Sequence, residues 1–234
     1  MAGFTDLHTH FVYGVDDGAK DAQTMRDMLD EAYRQGVTRI FATSHAEPGM
    51  RPFDSETYED HLREAERYCA EKGYGITLLP GAELLYTPAM DAFIQERRLI
   101  TLNGSAFVLV EFVPDVEPRE IEWMLGLMES QGYRPILAHI ERYDCMKGKL
   151  PQRLKEEYPV LFQVNCRTVL DPGGYFRARR LDQWFKAGLI DFVATDMHNC
   201  ASRSPQMNKA YQALRRKYGR ETADRLTQAA ALGW

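Results

Sequence analysis

At 234 residues, with 44% hydrophobic and 27% charged side chains, the chain is long enough to bury the core of one large α/β domain and lies outside the disordered class. A formal net charge of -5 argues against a nucleic-acid footprint, and the scattered Cys69, Cys145, Cys166 and Cys200, with no C-x-x-C pair, suggest neither a thiolate zinc site nor a disulfide framework. No basic segment leads into an apolar one at the N-terminus and no apolar run approaches the ~20 residues of a membrane helix, so a soluble cytoplasmic protein without membrane insertion is expected.

The first strand ends in "DLHTH", where His8 and His10, two apart, project from one face of an extended chain. A helix is expected from about Ala22 to Gln35, stopped by Gly36, then a buried strand "VTRIFATSH". An amphipathic helix follows, capped near Asp54 or Ser55 and ended at Gly73, and after it the strand "GITLLPGAELL". Thr87-Pro88 reads as cap and first residue of a short helix, and Asn103-Gly104 as a tight turn between two strand-like runs. A helix from Pro118 to Gln131 precedes the strand "RPILAHI". The helix "PQRLKEEYP", the strand "VLFQVNC", the helix "YFRARRLDQWFKAG" and the strand "IDFVATDMH" come next. Ser204-Pro205 opens another helix, and a last one runs toward Trp234. No repeat, low-complexity tract or linker divides the chain, so residues 1–234 are read as one domain. About seven strands alternating with helices call for a parallel sheet, most economically a closed or nearly closed barrel.

His8, His10, His45, Glu83, Glu111, His139, Asp196 and His198 all fall at C-terminal strand ends, which share one rim in such a barrel. Gathering so many imidazoles and carboxylates there without cations would carry a large desolvation and repulsion cost, whereas divalent ions turn them into ligands. With one acid of the "DDG" after the first strand, five histidines and four carboxylates exceed what one tetrahedral ion needs and suit two or three ions. Nitrogen and oxygen donors without sulfur fit zinc, manganese or iron. Three divalent ions would add +6 to the chain's -5, giving a site that attracts anions. His61, on a helix face among Glu and Arg, reads as solvated and inert. Cys200 is rejected as a nucleophile because no C-x5-R loop surrounds it.

"DLHTH", "TSH", "PGAE", "VEF", "LAHIERY" and "ATDMHN", in this order over nearly the whole chain, resemble the PHP (polymerase and histidinol phosphatase) superfamily. More narrowly, "GVDDGAKD", "LAHIERY" and "DMHNCASR" resemble the bacterial PHP-class protein-tyrosine phosphatases of capsule and exopolysaccharide synthesis. The resemblance implies a distorted (β/α)7 TIM-like barrel, three divalent metal ions (manganese foremost, iron or zinc otherwise), and phosphotyrosine hydrolysis on a protein substrate, a membrane tyrosine autokinase. By matching motif the ligands would be His8, His10, Asp17, His45, Glu83, Glu111, His139, Asp196 and His198, with Asp17 preferred over Asp16 on alignment alone. Arg142 and Arg203 would bind phosphate. A metal-bridging hydroxide would attack phosphorus in line, and His45 or a metal-bound water could protonate a leaving group that, as a phenolate, needs little help. The chain departs from the family pattern at His45-Ala46, "AHIERY" and "NCRTV". The rival readings are a histidinol-phosphate phosphatase or other small-molecule phosphoesterase with the same cage, and a non-catalytic metal-binding regulatory module. With no room for a second domain, specificity is expected from the rim loops.

Overall fold

The computed structural model describes residues 3–233. In chain order the strands are β1 Phe4–Asp6, β2 Val37–Ala42, β3 His45–Ala46, β4 Thr77–Pro80, β5 Glu83–Leu85, β6 Phe107–Glu111, β7 Arg134–Leu137, β8 Leu161–Asn165 and β9 Phe192–Ala194. The helices are α1 Ala22–Arg34, α2 Ser55–Lys72, α3 Met90–Gln95, α4 Pro118–Ser130, α5 Leu150–Glu157, α6 Cys166–Leu170, α7 Tyr175–Lys186, α8 Met207–Tyr218 and α9 Arg220–Thr227. Asp21 and Asp54 cap α1 and α2, each accepting the backbone N–H three residues on, at 2.8 and 3.1 Å. Gly73 closes α2 in the left-handed conformation, φ 67°, which a side chain would strain.

All ladders are parallel, in two sheets of order β1-β2-β4 and β3-β5-β6-β7-β8-β9. The single closed barrel expected from the sequence is not present as a continuous ladder. "VTRIFATSH" breaks into β2 and β3 at Thr43-Ser44, and "GITLLPGAELL" into β4 and β5 at Gly81-Ala82. The breaks fall where side chains and backbone polar groups turn to neighbours outside the ladder: Thr43 Oγ1 accepts from Thr9 N at 2.8 Å, and Tyr58 Oη accepts from Gly81 N at 3.0 Å. Beyond the regular strands, Thr9 bridges Met197 in parallel, and Asp196 N donates to His8 O and His10 N to Met197 O, both at 2.9 Å.

Period-two alternation sorts the strand residues into two apolar layers. Val108 and Val110 join the large core packed with the helices, whereas Phe107 and Leu109 join an inner group with Leu7, Phe41, Ile136, Phe192 and Ala194. The same parity carried one step further reaches Glu111 on β6 and Asp196 beyond β9. The inner face therefore changes from apolar to ionisable at its C-terminal end.

Several boundaries differ from expectation. Helix α3 begins at Met90, not at Thr87-Pro88, which form the preceding turn, and Thr87 supplies no cap bond. Asn103-Gly104 is a turn with φ 51° and 67°, but only the run after it is a strand. Helix α6 was not foreseen, since "NCRTV" follows an apolar strand without a break. The strand expected through His198 ends at Ala194, and α8 starts at Met207 rather than Ser204-Pro205. The last helix ends at Thr227 and a single tight turn, Ala230–Leu232, follows; Trp234 lies outside the described residues. Among the described residues no helix is long and apolar enough to cross a membrane.

Candidate metal centre

All nine side chains named from the sequence meet at one place. The donor atoms form four sets, within each of which they lie no more than 4.8 Å apart: His8, Glu83 and His139; His8, His10 and Asp196; His45, Glu83 and Glu111; and His10, Asp17, His45 and His198. His8, His10, His45 and Glu83 each belong to two sets, and Glu83 is the carboxylate among them. Its Oε2 stands 3.1 Å from His8 Nε2, 3.3 Å from His10 Nε2 and 3.2 Å from His45 Nδ1, while Oε1 is 2.9 Å from His139 Nε2. Two of these positions occupy backbone that non-glycine residues rarely adopt, His139 at φ 31° and Asp196 at φ 52°. Such conformations persist where the surroundings over-determine them, and they cluster at functional sites.

Charges of both signs are buried here. Burial opposes ionising Glu83 and Asp196, yet His8 and further neighbours outweigh it and hold both carboxyls below the usual carboxylate range. Burial likewise opposes charging His10, but hydrogen bonds to Asp16 and Glu83 push its pKa up to about 10. Burial and the neighbouring His10 charge hold His198 down at about 3. His198 Nδ1 donates to Asp196 O at 3.0 Å, leaving a buried Nε2 with no hydrogen-bond partner among the described residues and Asp17 Oδ1 3.3 Å away. The ring nitrogens Nε2 of His8 and His10 face each other at 3.2 Å. Converging nitrogen and oxygen donors, an orphaned imidazole nitrogen and the absence of sulfur fit divalent cations.

Asp16 and Asp17 take different roles. Asp16 Oδ2 accepts from His10 Nδ1 at 2.8 Å and from His45 N at 3.0 Å, and Oδ1 from Gly18 N at 2.9 Å, so Asp16 orients the histidines. Asp17 Oδ1 faces His45 and His198, each at 3.3 Å. Gly18 is required for this turn, because a Cβ there would lie 2.1 Å from His10 O.

A supporting network behind the cage had no counterpart in the sequence reading. Gln163, on β8, accepts from His8 Nδ1 at 3.1 Å and from His139 N at 2.7 Å. Its amide donates to Asn165 Oδ1 at 2.7 Å, and Asn165 Nδ2 donates to Asp196 Oδ2 at 2.7 Å. This fixes the His8 tautomer with Nε2 turned to the cage. Below it, fully buried Asp6 accepts from Thr195 N and Oγ1 at 2.9 and 2.5 Å, tying β1 to β9, and burial raises its pKa to about 6. The signal available was a Gln inside the otherwise apolar "VLFQV". Replacing Gln163 by alanine should weaken divalent-metal affinity about 10–100-fold with the fold retained, measured by metal titration beside circular dichroism.

Arg142 and Arg203 stand at the edge on one carboxylate. Arg142 Nη2 donates to Asp196 Oδ2 at 2.5 Å, and Arg203 Nη2 to Asp196 Oδ1 at 2.7 Å, with Arg203 Nη1 3.5 Å from Asp17. The adjoining cleft, about 390 Å³, runs past His45 and Asp17 to Glu47, Phe53 and Asp54. His61 is not free in solvent as expected: it stacks on Tyr13 at 3.6 Å and donates to Tyr13 O at 2.8 Å, pinning the loop that carries Asp16 and Asp17 to α2. Cys200 is exposed, with its thiol pushed up chiefly by burial of the sulfur, the opposite of an activated thiolate.

A family model described as capsular polysaccharide synthesis, CpsB/CapC, matches residues 4–232. The tyrosine-protein phosphatase CpsB of Streptococcus pneumoniae is 33% identical over 230 residues, covering 94% of this chain and 93% of that one. A solved structure from the work on YwqE of Bacillus subtilis and CpsB of Streptococcus pneumoniae, described as metal-dependent tyrosine phosphatases, superposes with TM-score 0.84 at 27% identity, covering 94% and 89%. The histidinol phosphate phosphatase of Lactococcus lactis, at TM-score 0.54 and 15% identity over 96% and 98%, shares the fold. The chain belongs to the CpsB/CapC family of capsular polysaccharide synthesis.

Proposed function

We propose that the protein is a metal-dependent phosphatase that hydrolyses phosphotyrosine on a polypeptide, in particular on a membrane tyrosine autokinase of capsule or exopolysaccharide synthesis. The observation that carries this reading is the convergence of nine histidine, aspartate and glutamate side chains with two arginines, in a chain 33% identical to a tyrosine phosphatase over nearly its full length. His8, His10, Asp17, His45, Glu83, Glu111, His139, Asp196 and His198 would hold three divalent ions, manganese foremost. The seven strand-like runs are read as a distorted (β/α)7 barrel interrupted at Thr43-Ser44 and Gly81-Ala82, a reading supported by the Thr9–Met197 bridge between the chain just beyond β1 and that just beyond β9. A cytoplasmic location is supported by four unpaired cysteines.

Bound divalent ions supply positive charge for the phosphoryl oxygens and acidify water, the source of the nucleophile. The protein's own contribution is positional. Asp196 holds one guanidinium on each oxygen, so Arg142 and Arg203 are fixed as a pair whose forks suit phosphate oxygens. A tyrosyl leaving group has a pKa near 10 and departs without a strong acid. His45, with 31% of its side chain exposed and lining the cleft, is read as the proton donor through a ring nitrogen that holds no metal.

The cleft supports a second reading. Glu47, Asp54 and Phe53 provide the acidic and aromatic partners that an aminated substrate such as histidinol phosphate needs. The two arginines speak against a purely regulatory metal module. A chelator should abolish hydrolysis of a phosphotyrosyl peptide, and manganese, iron or zinc added back after its removal should restore it. Full activity in chelator would contradict the proposal.

A further inference from the structure

A second cavity, about 730 Å³, is walled by Arg142, the same side chain that reaches Asp196 at the metal centre. Its remaining cations are Lys147, Arg177 and Arg180, and its aromatic walls are Phe176 and Trp184. Arg177 and Arg180 are three apart on α7, hence on one face of the helix. Arg180 lies 5.2 Å over the Trp184 ring and donates to Glu141 O at 3.3 Å; neither arginine has an ion-pair carboxylate among the described residues. Burial and the Arg177 charge lower the pKa of Arg180, outweighing the more weakly felt carboxylates of Asp144 and Glu141.

None of the three acids of the wall forms an ion pair with Arg177 or Arg180, although Glu141 Oε2 is buried without a hydrogen-bond partner among the described residues. Glu141 Oε1 accepts from Asn165 N at 3.0 Å, Asp171 Oδ1 from Gly173 N at 3.1 Å, and Asp144 stands 3.9 Å from Lys147. Phe176, meanwhile, is 83% exposed beside Tyr175 at 72%, aromatic surface that an isolated domain seldom leaves to water without use. The cavity thus offers unpaired guanidinium donors beside an open aromatic ring, and it is joined through Arg142 to the site where phosphate is proposed to bind.

We propose that this cavity is an anion-selecting subsite: while the phosphotyrosine occupies the metal centre, an anionic side chain of the same polypeptide, carboxylate or phosphate, is held by Arg177 and Arg180 against Phe176. The proposal rests on the phosphatase reading and adds the substrate class to it, a phosphotyrosine with an acidic neighbour in the same chain.

The test uses the metal-loaded full chain and phosphotyrosyl peptides in which glutamate, alanine, lysine or a second phosphotyrosine is placed in turn at each position on either side of the scissile phosphotyrosine. At one or more positions the glutamate peptide should exceed the alanine peptide in kcat/KM by about tenfold, the scale of a charged hydrogen bond, with the gain in KM. In Arg177→Gln/Arg180→Gln that ratio should fall to about one, and in Arg177→Glu/Arg180→Glu a lysine peptide should be preferred. Phosphotyrosine exceeding glutamate at that position would assign the anion as phosphate, and the reverse order as carboxylate; both support the subsite. Hydrolysis of the alanine peptide with no preference at any position, or a preference that survives in the double variants, would overturn the subsite and leave the phosphatase reading intact. Hydrolysis of no phosphotyrosyl peptide would overturn both.

Discussion

Substituting Glu83 by glutamine should lower kcat on a phosphotyrosyl peptide by roughly 10³-fold or more, and bound metal should be lost while the far-UV circular dichroism is retained. Replacing a partner that merely orients a ligand costs about 10–100-fold, and Glu83 is proposed as a ligand itself, belonging to two of the donor sets. Its two oxygens face ring nitrogens of four histidines, His8, His10, His45 and His139, at 2.9–3.3 Å. Glutamine keeps the volume but removes the charge and turns an N–H₂ group toward nitrogen lone pairs, so electrostatics and hydrogen bonding fail together. Because the side chain is 1% exposed, water cannot replace what is lost. Measured metal content and initial rates decide the matter: a Glu83→Gln protein with more than a tenth of the parent rate would remove this residue from the centre of the site.

Arg203→Ala should reduce kcat/KM by about 10²–10³-fold with the metal content unchanged, the scale seen when a preorganised donor to a developing oxyanion is removed. Its loop is tied to the cage by backbone: His198 N donates to Arg203 O at 2.9 Å, and Arg203 N to Asn199 Oδ1 at 3.2 Å. Asp196 then fixes the guanidinium end. Arg203→Lys should recover only a small part of the loss, since a point charge cannot use both oxygens that the planar fork can. The pairing of a large rate loss with intact metal binding separates this arginine from the ligands. Loss of metal in Arg203→Ala would instead make it a support for Asp196.

The clustered side chains of the candidate site were legible because they violate the pattern around them. Imidazoles and carboxylates at the ends of apolar strands have no packing reason to recur, and all nine named side chains do converge. The family was legible from motif order, and the family match over residues 4–232 agrees with it. What supports the cage was not legible. Gln163 and Asn165 are neutral and short in reach, and only the tertiary arrangement shows that they join His8, His139 and Asp196 across 31 or fewer positions in some pairs and 155 in another. The different tasks of Asp16 and Asp17 depend on a turn in which Gly18 approaches His10 O too closely for any side chain. Helix boundaries were clear where Asp caps and left-handed glycines mark them, at α1 and α2. They failed at Thr87-Pro88 and Ser204-Pro205, where the proline belongs to the turn before the helix rather than to its first residue. Strand breaks at Thr43-Ser44 and Gly81-Ala82 escaped notice because hydrophobic periodicity records burial, which continues through them, and not the ladder, which does not.

The most direct test of the central claim compares initial rates of the metal-loaded protein on a phosphotyrosyl peptide and on histidinol phosphate, with Glu83→Gln as the control for contaminating activity. The predicted result is a kcat/KM strongly in favour of the peptide that disappears in the control. Preference for histidinol phosphate, or peptide hydrolysis that persists in Glu83→Gln, would contradict it.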